Sequence, residues 1–557
     1  MALEHTMVVW ALYEAAKENT VVVWTLYALV GLALLGVSTF IVLYFQPRNG
    51  VASSLPAFAA ASTISSQPLQ VSSRFVNVIC ILALYVSFLC LFTAPVDVFL
   101  LENSLPHLHA SVTAIKIMYE IYFGVLVVYS FFGAPLVFNY ARQTEIAHLT
   151  MAFSAKARFI AALKRTLCFV LGVSLLLLMA MIVLLCGKPT STDVDWLKPL
   201  LNYSSDIEMI YRLLIGIVVL CGLYLWIVVC SRGLASLPLV GLLMENHAVD
   251  ENKSTFKDLL AENAMETQAT MQTKDTLLKR YAHQRQMSSA DQERLAQLKM
   301  REKILLERRE VLEANARRFE LSGRWRCWKI PIGVLLMLVS LLIVVSLLIT
   351  SLDKMLHSNF RKGFLLNHMQ FPNPIDLLLV LASRFFPFDY ILFAVLFLYL
   401  FVVSFVMLGR HGVRVLCFRM DRLQPRLTSS STMAIVSLIM IYMAMIGLFS
   451  MLTLAPQYAT FGHQMYAEKD TGIVKPCTLA EAAKNAHEDL QNQHCRMSQL
   501  AQFYNSLAVQ IPMFGLALFL GQLLFVFSFI PWAAHAYVST KKLPDPDPKT
   551  ERLLSDF

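Results

Sequence analysis

The sequence predicts an all-α integral membrane protein: nine transmembrane helices, a short re-entrant or interfacial helix, and a cytosolic helical hairpin insert. Three observations carry this. Nine apolar stretches fall at residues 21–45, 75–101, 112–140, 166–186, 209–231, 330–352, 388–408, 433–454 and 503–534. Each meets the ~20 apolar residues that a helix needs to cross a ~30 Å hydrocarbon core. The composition, 57% hydrophobic and 15% charged over 557 residues, excludes a soluble globular or disordered chain. No run of short, alternating segments is present, as the strands of a membrane barrel would require.

Orientation follows from the basic residues, because short loops rich in Lys and Arg stay cytosolic. The loop after the third span holds Arg142, Lys156, Arg158, Lys164 and Arg165, and the loop after the seventh holds Arg410, Arg414, Arg419, Arg422 and Arg426. Both read as cytosolic. The loop after the fourth span carries Asp193, Asp195, Asp206 and Glu208, and that after the eighth carries Glu468, Asp470, Glu481, Glu488 and Asp489. Both read as lumenal. The N-terminus is then lumenal or external and the C-terminus cytosolic. The first span lacks small residues of a cleavage site on its far flank and reads as retained.

Most of the ten cysteines lie in spans or cytosolic flanks, where a thiol serves as a small packing residue. Cys477 and Cys495 share one polar loop on the side where disulfides persist, which predicts a bond between them. The sequon at Asn202 also falls in a lumenal loop and is a glycan acceptor candidate.

The chain divides into a five-span membrane region (1–244), the insert (245–326), a four-span region with the extra short helix (327–537) and a tail (538–557). The insert is rich in Glu, Gln, Lys and Arg, with Met287 to Asp291 as the break between two arms. Leu298, Leu305 and Leu312 recur every seven residues, but Arg301, Arg308 and Asn315 occupy the companion seam. One narrow apolar face packed on a neighbouring helix, or a solvated spacer, fits this better than a free coiled-coil dimer. The run 51–73, rich in Ala, Ser and Gln, reads as a loop.

Prolines 372, 374 and 387 bracket an apolar segment too short to cross, which makes Pro372, Pro374 and Pro387 hinge or re-entrant positions. Irregular backbone of this kind marks binding sites in transporters. Asp97, Glu120 and Asp389 are carboxylates in apolar surroundings and the candidate transport or intramembrane polar residues. The competing reading for Asp97, a turn or so from the lumenal end of its span, is a cap on a neighbouring helix or a pair with a cation. No phosphate loop, zinc-ligand spacing or nucleophile elbow is present, so no catalytic or metal residues are assigned and the chain reads as a non-enzyme. The net charge of +9 is accounted for by basic loops and does not imply nucleic acid.

Several runs are similar to a known family. Ser351, Leu352, Asp353, Lys354, Met355, Leu356, His357, Ser358 resembles the motif after the sixth span of the limb-region membrane protein family, in its lysosomal cobalamin transporter branch. Matching runs stand in the same order: Pro95 to Leu100, Ala235 to Leu239, Phe386 to Leu392, and Leu454 to Tyr458. The likeness spans roughly residues 25–532. Glu120 falls on no family motif. The resemblance implies nine spans, a lumenal N-terminus, a lysosomal membrane address, and release of cobalamin (vitamin B12) to the cytosol for conversion to cofactors. Cobalamin is then the transported ligand and not a bound cofactor. The partners this admits are membrane lipid, cobalamin, an ATP-binding cassette transporter escorted to the lysosome, and a second copy as a homodimer. The tail run Glu551, Arg552, Leu553, Leu554 falls short of an acidic dileucine sorting signal, since Lys549 stands where the acid belongs. The competing functional class is an endocytic receptor or scaffold at the plasma membrane, as in the family's lipocalin-receptor branch.

Overall fold

The computed structural model describes residues 20–46, 74–102, 109–150, 155–186, 206–239, 245–281, 326–358, 364–366, 369–385, 387–411, 414–415, 418–419, 428–467, 474–485 and 495–539, with scattered positions between 288 and 313. The loop 51–73, the sequon at Asn202 and the tail beyond residue 539 lie outside the described residues.

Among the described residues, nine helices are long and apolar enough to cross a membrane. The first half of the chain forms α1 (Thr20–Phe45), α2 (Arg74–Phe92), α3 (Ala94–Glu102), α4 (His109–Val128), α5 (Ala134–Thr150), α6 (Ala155–Cys186), α7 (Asp206–Leu225) and α8 (Ser231–Ser236). The polar insert contributes α9 (Glu245–Arg280). The second half forms α10 (Arg326–His357), α11 (Pro374–Ala382), α12 (Phe388–His411), α13 (Ser430–Leu454), α14 (Pro456–Phe461), α15 (Leu479–Asn485), α16 (Gln499–Gln510) and α17 (Pro512–Ser539). Two antiparallel ribbons complete the list: β1 (Arg414–Val415) with β2 (Phe418–Arg419), and β3 (Met465–Ala467) with β4 (Val474–Pro476).

The fourth span begins earlier than expected, at Lys156, the fifth runs on to Leu239, and the ninth is divided at a proline. The stretch expected as one span over 503–534 is split, because Pro512 has no amide to continue α16, and Ile511 leaves helical geometry. The span proper is Met513–Val538. The second span, Arg74–Leu101, matches its expected bounds and passes from α2 to α3 through a turn at Thr93, two residues before Pro95. A π-helical turn, Tyr129–Gly133, joins α4 to α5 ahead of Pro135, whose missing amide prevents a regular ladder there. A second, Trp226–Cys230, joins α7 to α8.

The chain forms two compact units, one of Met1–Leu234 with Leu341–Ile530, the other of Ala235–Ser340 with Pro531–Phe557. In the first, α13 is the central helix. It is apolar all round, as a helix surrounded by others must be, and packs against α7, α2 and α5. Tyr129 on the first π turn hydrogen-bonds to Ser437 at 2.8 Å, and Gly222 lets α7 approach the Tyr442 carbonyl of α13. The outer helices present large apolar side chains outward, with Leu32 67% and Leu176 72% exposed, the pattern of a surface solvated by lipid. In the second unit, Lys274 pairs with Glu302 at 2.6 Å, the Asn263 side-chain amide donates to the Leu305 carbonyl at 3.1 Å, and Tyr281 donates to Asp291.

Candidate functional site

The irregular segments of the first unit meet at one end of its helices, where buried polar side chains hold them together. Asn373 precedes Pro374, and this pair starts α11 by ordinary rules: the Asn373 side-chain oxygen accepts from the amides of Ile375 and Asp376, and proline fills the first helical position. The Asn373 amide donates to Thr350 Oγ1 at 2.9 Å and to the Leu454 carbonyl at 2.8 Å. One side chain thus ties α11 to the ends of α10 and α13. Pro372 is exposed just outside this cap, and the Pro387 carbonyl accepts from the Ile391 amide as α12 begins.

The carboxylates cap helices from outside their own segments. Asp97, 4% exposed on α3, accepts from the amides of Gln499 and Leu500 at 3.3 and 3.1 Å, at the start of α16. Asp376 on α11 accepts from the Tyr458 amide at 2.9 Å, at the start of α14. Asp389, 1% exposed, accepts from the Tyr458 hydroxyl at 3.0 Å. Orphan amides at a helix start attract negative charge, which makes the Asp97 and Asp376 arrangements favourable. Asp97 and Asp389 therefore converge on the adjoining helices α16 and α14. Glu120 differs in kind: its side chain is exposed on α4, and its backbone carbonyl accepts from the Tyr211 hydroxyl at 2.8 Å. Cys477 and Cys495 are disulfide-bonded, with Cα atoms 5.6 Å apart, and both are buried. The Cys477 amide donates to the Gln464 carbonyl and the Ser498 amide to Thr460, so the bond closes the loop that delivers α16.

Asp376 gives a pH prediction. Burial pushes its carboxyl up from the ordinary 3.8 to about 6, against the amides of Tyr458 and Gln457, which pull it down. The folded chain therefore holds this proton more tightly than the unfolded chain. Its contribution is full below about pH 4 and lost as pH rises through about 6, a difference of ~3 kcal/mol. Melting temperature measured across this window should fall with rising pH, and Asp376→Asn should flatten the fall; an unchanged slope would contradict the assignment.

Beside the capped ends lies a small, partly open cleft. Its floor includes Lys354, from the last turn of α10 and only 6% exposed, and its walls include Phe364, Phe461, Tyr504 and Gln457. Lys354 Nζ donates to Thr453 Oγ1 at 3.3 Å, and Gln522 Nε2 donates to the same oxygen at 2.6 Å. The neighbouring Asp353 is engaged elsewhere, with His357 Nδ1 2.7 Å from one oxygen and the Gln370 amide donating to the other at 3.0 Å.

No family model matches the chain, and no solved structure matches it. Named relatives are found over most of its length. A protein of Nematostella vectensis named "Probable lysosomal cobalamin transporter" is 28% identical over 510 residues, covering 85% of this chain and 89% of the relative. Proteins of the same name are 27% identical in Aspergillus terreus, over 74% of each chain, and 25% identical in Aspergillus oryzae, over 98% of this chain and 92% of the relative. The chain is a homologue of the "Probable lysosomal cobalamin transporter" proteins. The runs that resemble the cobalamin transporter branch lie where the helices meet: Pro95 to Leu100 is within α3, Leu454 to Tyr458 joins α13 to α14, and Asp353 and Lys354 lie near the end of α10. Asn373, Asp376, Thr453 and Gln522 belong to the same polar framework but were not singled out in the sequence. The signal for the first two was the cap pattern of Asn373, Pro374 and Asp376; for Thr453 and Gln522 no pattern in their own spans marks them.

Proposed function

We propose that this chain carries cobalamin out of the lysosome to the cytosol, as a multi-pass protein of the lysosomal membrane. The observation that carries the reading is the likeness to proteins named for that transport over 85% of the chain, together with nine helices of membrane-crossing length. The reaction class is transport and not catalysis. None of the relatives named above is called a receptor.

A second reading, escort of an ATP-binding cassette transporter to the lysosome, is favoured by one feature. The buried carboxylates Asp97, Asp376 and Asp389 accept hydrogen bonds from helix starts and from Tyr458, which commits them to holding helices and not to lining a proton path. Purified protein in liposomes separates the two: cobalamin flux supports a carrier, and its absence with a lysosomal defect in cells supports an escort.

In this reading the N-terminus, Asn202 and the Cys477–Cys495 loop are lumenal, and the tail and the insert 245–326 are cytosolic. The insert is read as a helical hairpin, supported by the Asn263–Leu305 and Lys274–Glu302 contacts between its two parts. The helix α11 is read as re-entrant or interfacial, with Pro372, Pro374 and Pro387 at its hinges; its nine residues are too few to cross. A glycosidase-sensitive mobility shift that Asn202→Gln removes is the expected result for this topology. A glycan-free protein in lysosomes would count against the lumenal placement.

A further inference from the structure

Lys354 is a buried cation with no ion-pair partner among the described residues. Among the described residues its one hydrogen-bond partner is Thr453 Oγ1, and no carboxylate lies within ion-pair distance. Its neighbour in the chain, Asp353, is engaged by His357 and the Gln370 amide. A lysine one turn from a helix end ordinarily reaches water along its flexible stem. Here the side chain is held inside, against a hydroxyl shared with Gln522, and it lines the cleft. A desolvated ammonium of this kind is costly unless an anion joins it.

The rest of the cleft narrows the class of anion. Gln457 Nε2, a buried donor in the wall, has no hydrogen-bond partner among the described residues. Phe364 adopts a left-handed backbone conformation, φ 55°, which non-glycine residues seldom accept, and its ring stacks on Phe519 with centroids 4.4 Å apart. Strain of this kind persists where the surroundings fix it, and it gathers at ligand sites. The cleft therefore offers one cation and one amide donor beside aromatic walls from Phe364, Phe461 and Tyr504. Its enclosed space is small, about 60 Å³, and it is partly open. A corrin ring with its nucleotide tail is larger than that. The tail, a phosphodiester flanked by a sugar and a flat aromatic base, matches the cleft in chemistry, and the open side leaves room for the rest of the ligand.

We propose that the Lys354 cleft is a phosphodiester subsite that receives the nucleotide tail of the cobalamin ligand, with Lys354 and Gln457 on the phosphate oxygens and the aromatic walls beside the base. The assignment rests on the cobalamin reading above. Binding to the full-length purified protein, measured by equilibrium dialysis, tests it with two probes: cyanocobalamin, and cobinamide, the same corrin lacking the nucleotide tail. The wild type should bind cyanocobalamin about 10-fold or more tightly than cobinamide, the worth of one charge-assisted bond in a desolvated site. Lys354→Met should remove that preference by weakening cyanocobalamin alone, Lys354→Arg should keep most of it, and Gln457→Leu should weaken cyanocobalamin alone by a smaller factor. Equal affinities in the wild type, or equal losses of both corrinoids in a Lys354→Met protein with unchanged melting temperature, would overturn the subsite and leave the cobalamin reading standing. If neither corrinoid binds but inorganic phosphate or phosphatidylglycerol vesicles bind in a Lys354-dependent way, the tail assignment is overturned and the cleft is an anion site for free phosphate or lipid. Cobalamin retention in lysosomes is read independently and shows whether the functional reading falls with it.

Discussion

Gly222→Ala is expected to cost the chain most of its yield of folded protein. A Cβ at this position would stand 2.3 Å from the Tyr442 carbonyl oxygen and 3.1 Å from Ile446 Cβ, and the first contact is with backbone of the central helix, which cannot rotate away. Overpacking a well-filled interface costs ~1–3 kcal/mol or more. Alanine returns ~1 kcal/mol in helix propensity, so the clash decides the sign. Gly124→Ala is the matched control, because its Cβ would meet nothing within 4 Å. That variant should be neutral or stabilised by ~0.5–1 kcal/mol. Melting temperature and size-exclusion profile in detergent read both, and equal behaviour of the two variants would contradict the close approach of α7 to α13.

Asp97→Ala is expected to be the next most damaging change. It leaves the amides of Gln499 and Leu500 without their acceptors at a buried helix start, at ~1–3 kcal/mol for each unsatisfied group. Asp97→Asn keeps one carbonyl oxygen and should lose less. The order wild type, Asn, Ala in melting temperature is the signature of a cap. Activity separates the cap from a proton carrier: a folded Asp97→Asn protein, and Glu120→Gln with it, should support cobalamin release close to wild type. A stable Asp97→Asn protein without function would return Asp97 to the transport path.

The helical membrane architecture was legible because its cause is local. A crossing helix must be continuously apolar over its whole length, and nine such runs stand out in any window. A bound failed where one residue governs: Pro512 ends a run that is apolar on both sides. Asp97 and Asp389 could be recognised as unusual from their surroundings alone. Their partners could not, since Asp97 and Leu500 are separated by 403 positions and no periodicity connects them. Lys354 was visible only inside a family-like run. Its meaning depends on the Thr453 hydroxyl that α13 brings to it, an oxygen that also accepts from Gln522 of α17.

The central claim, cobalamin release from the lysosome, is tested most directly by the labelled cobalamin content of lysosomes isolated from cells with and without this protein. The account predicts retention in the deficient lysosomes and its reversal when the wild-type chain is restored. Equal cobalamin content in the two preparations, with the protein confirmed in the lysosomal membrane of the control cells, would contradict it.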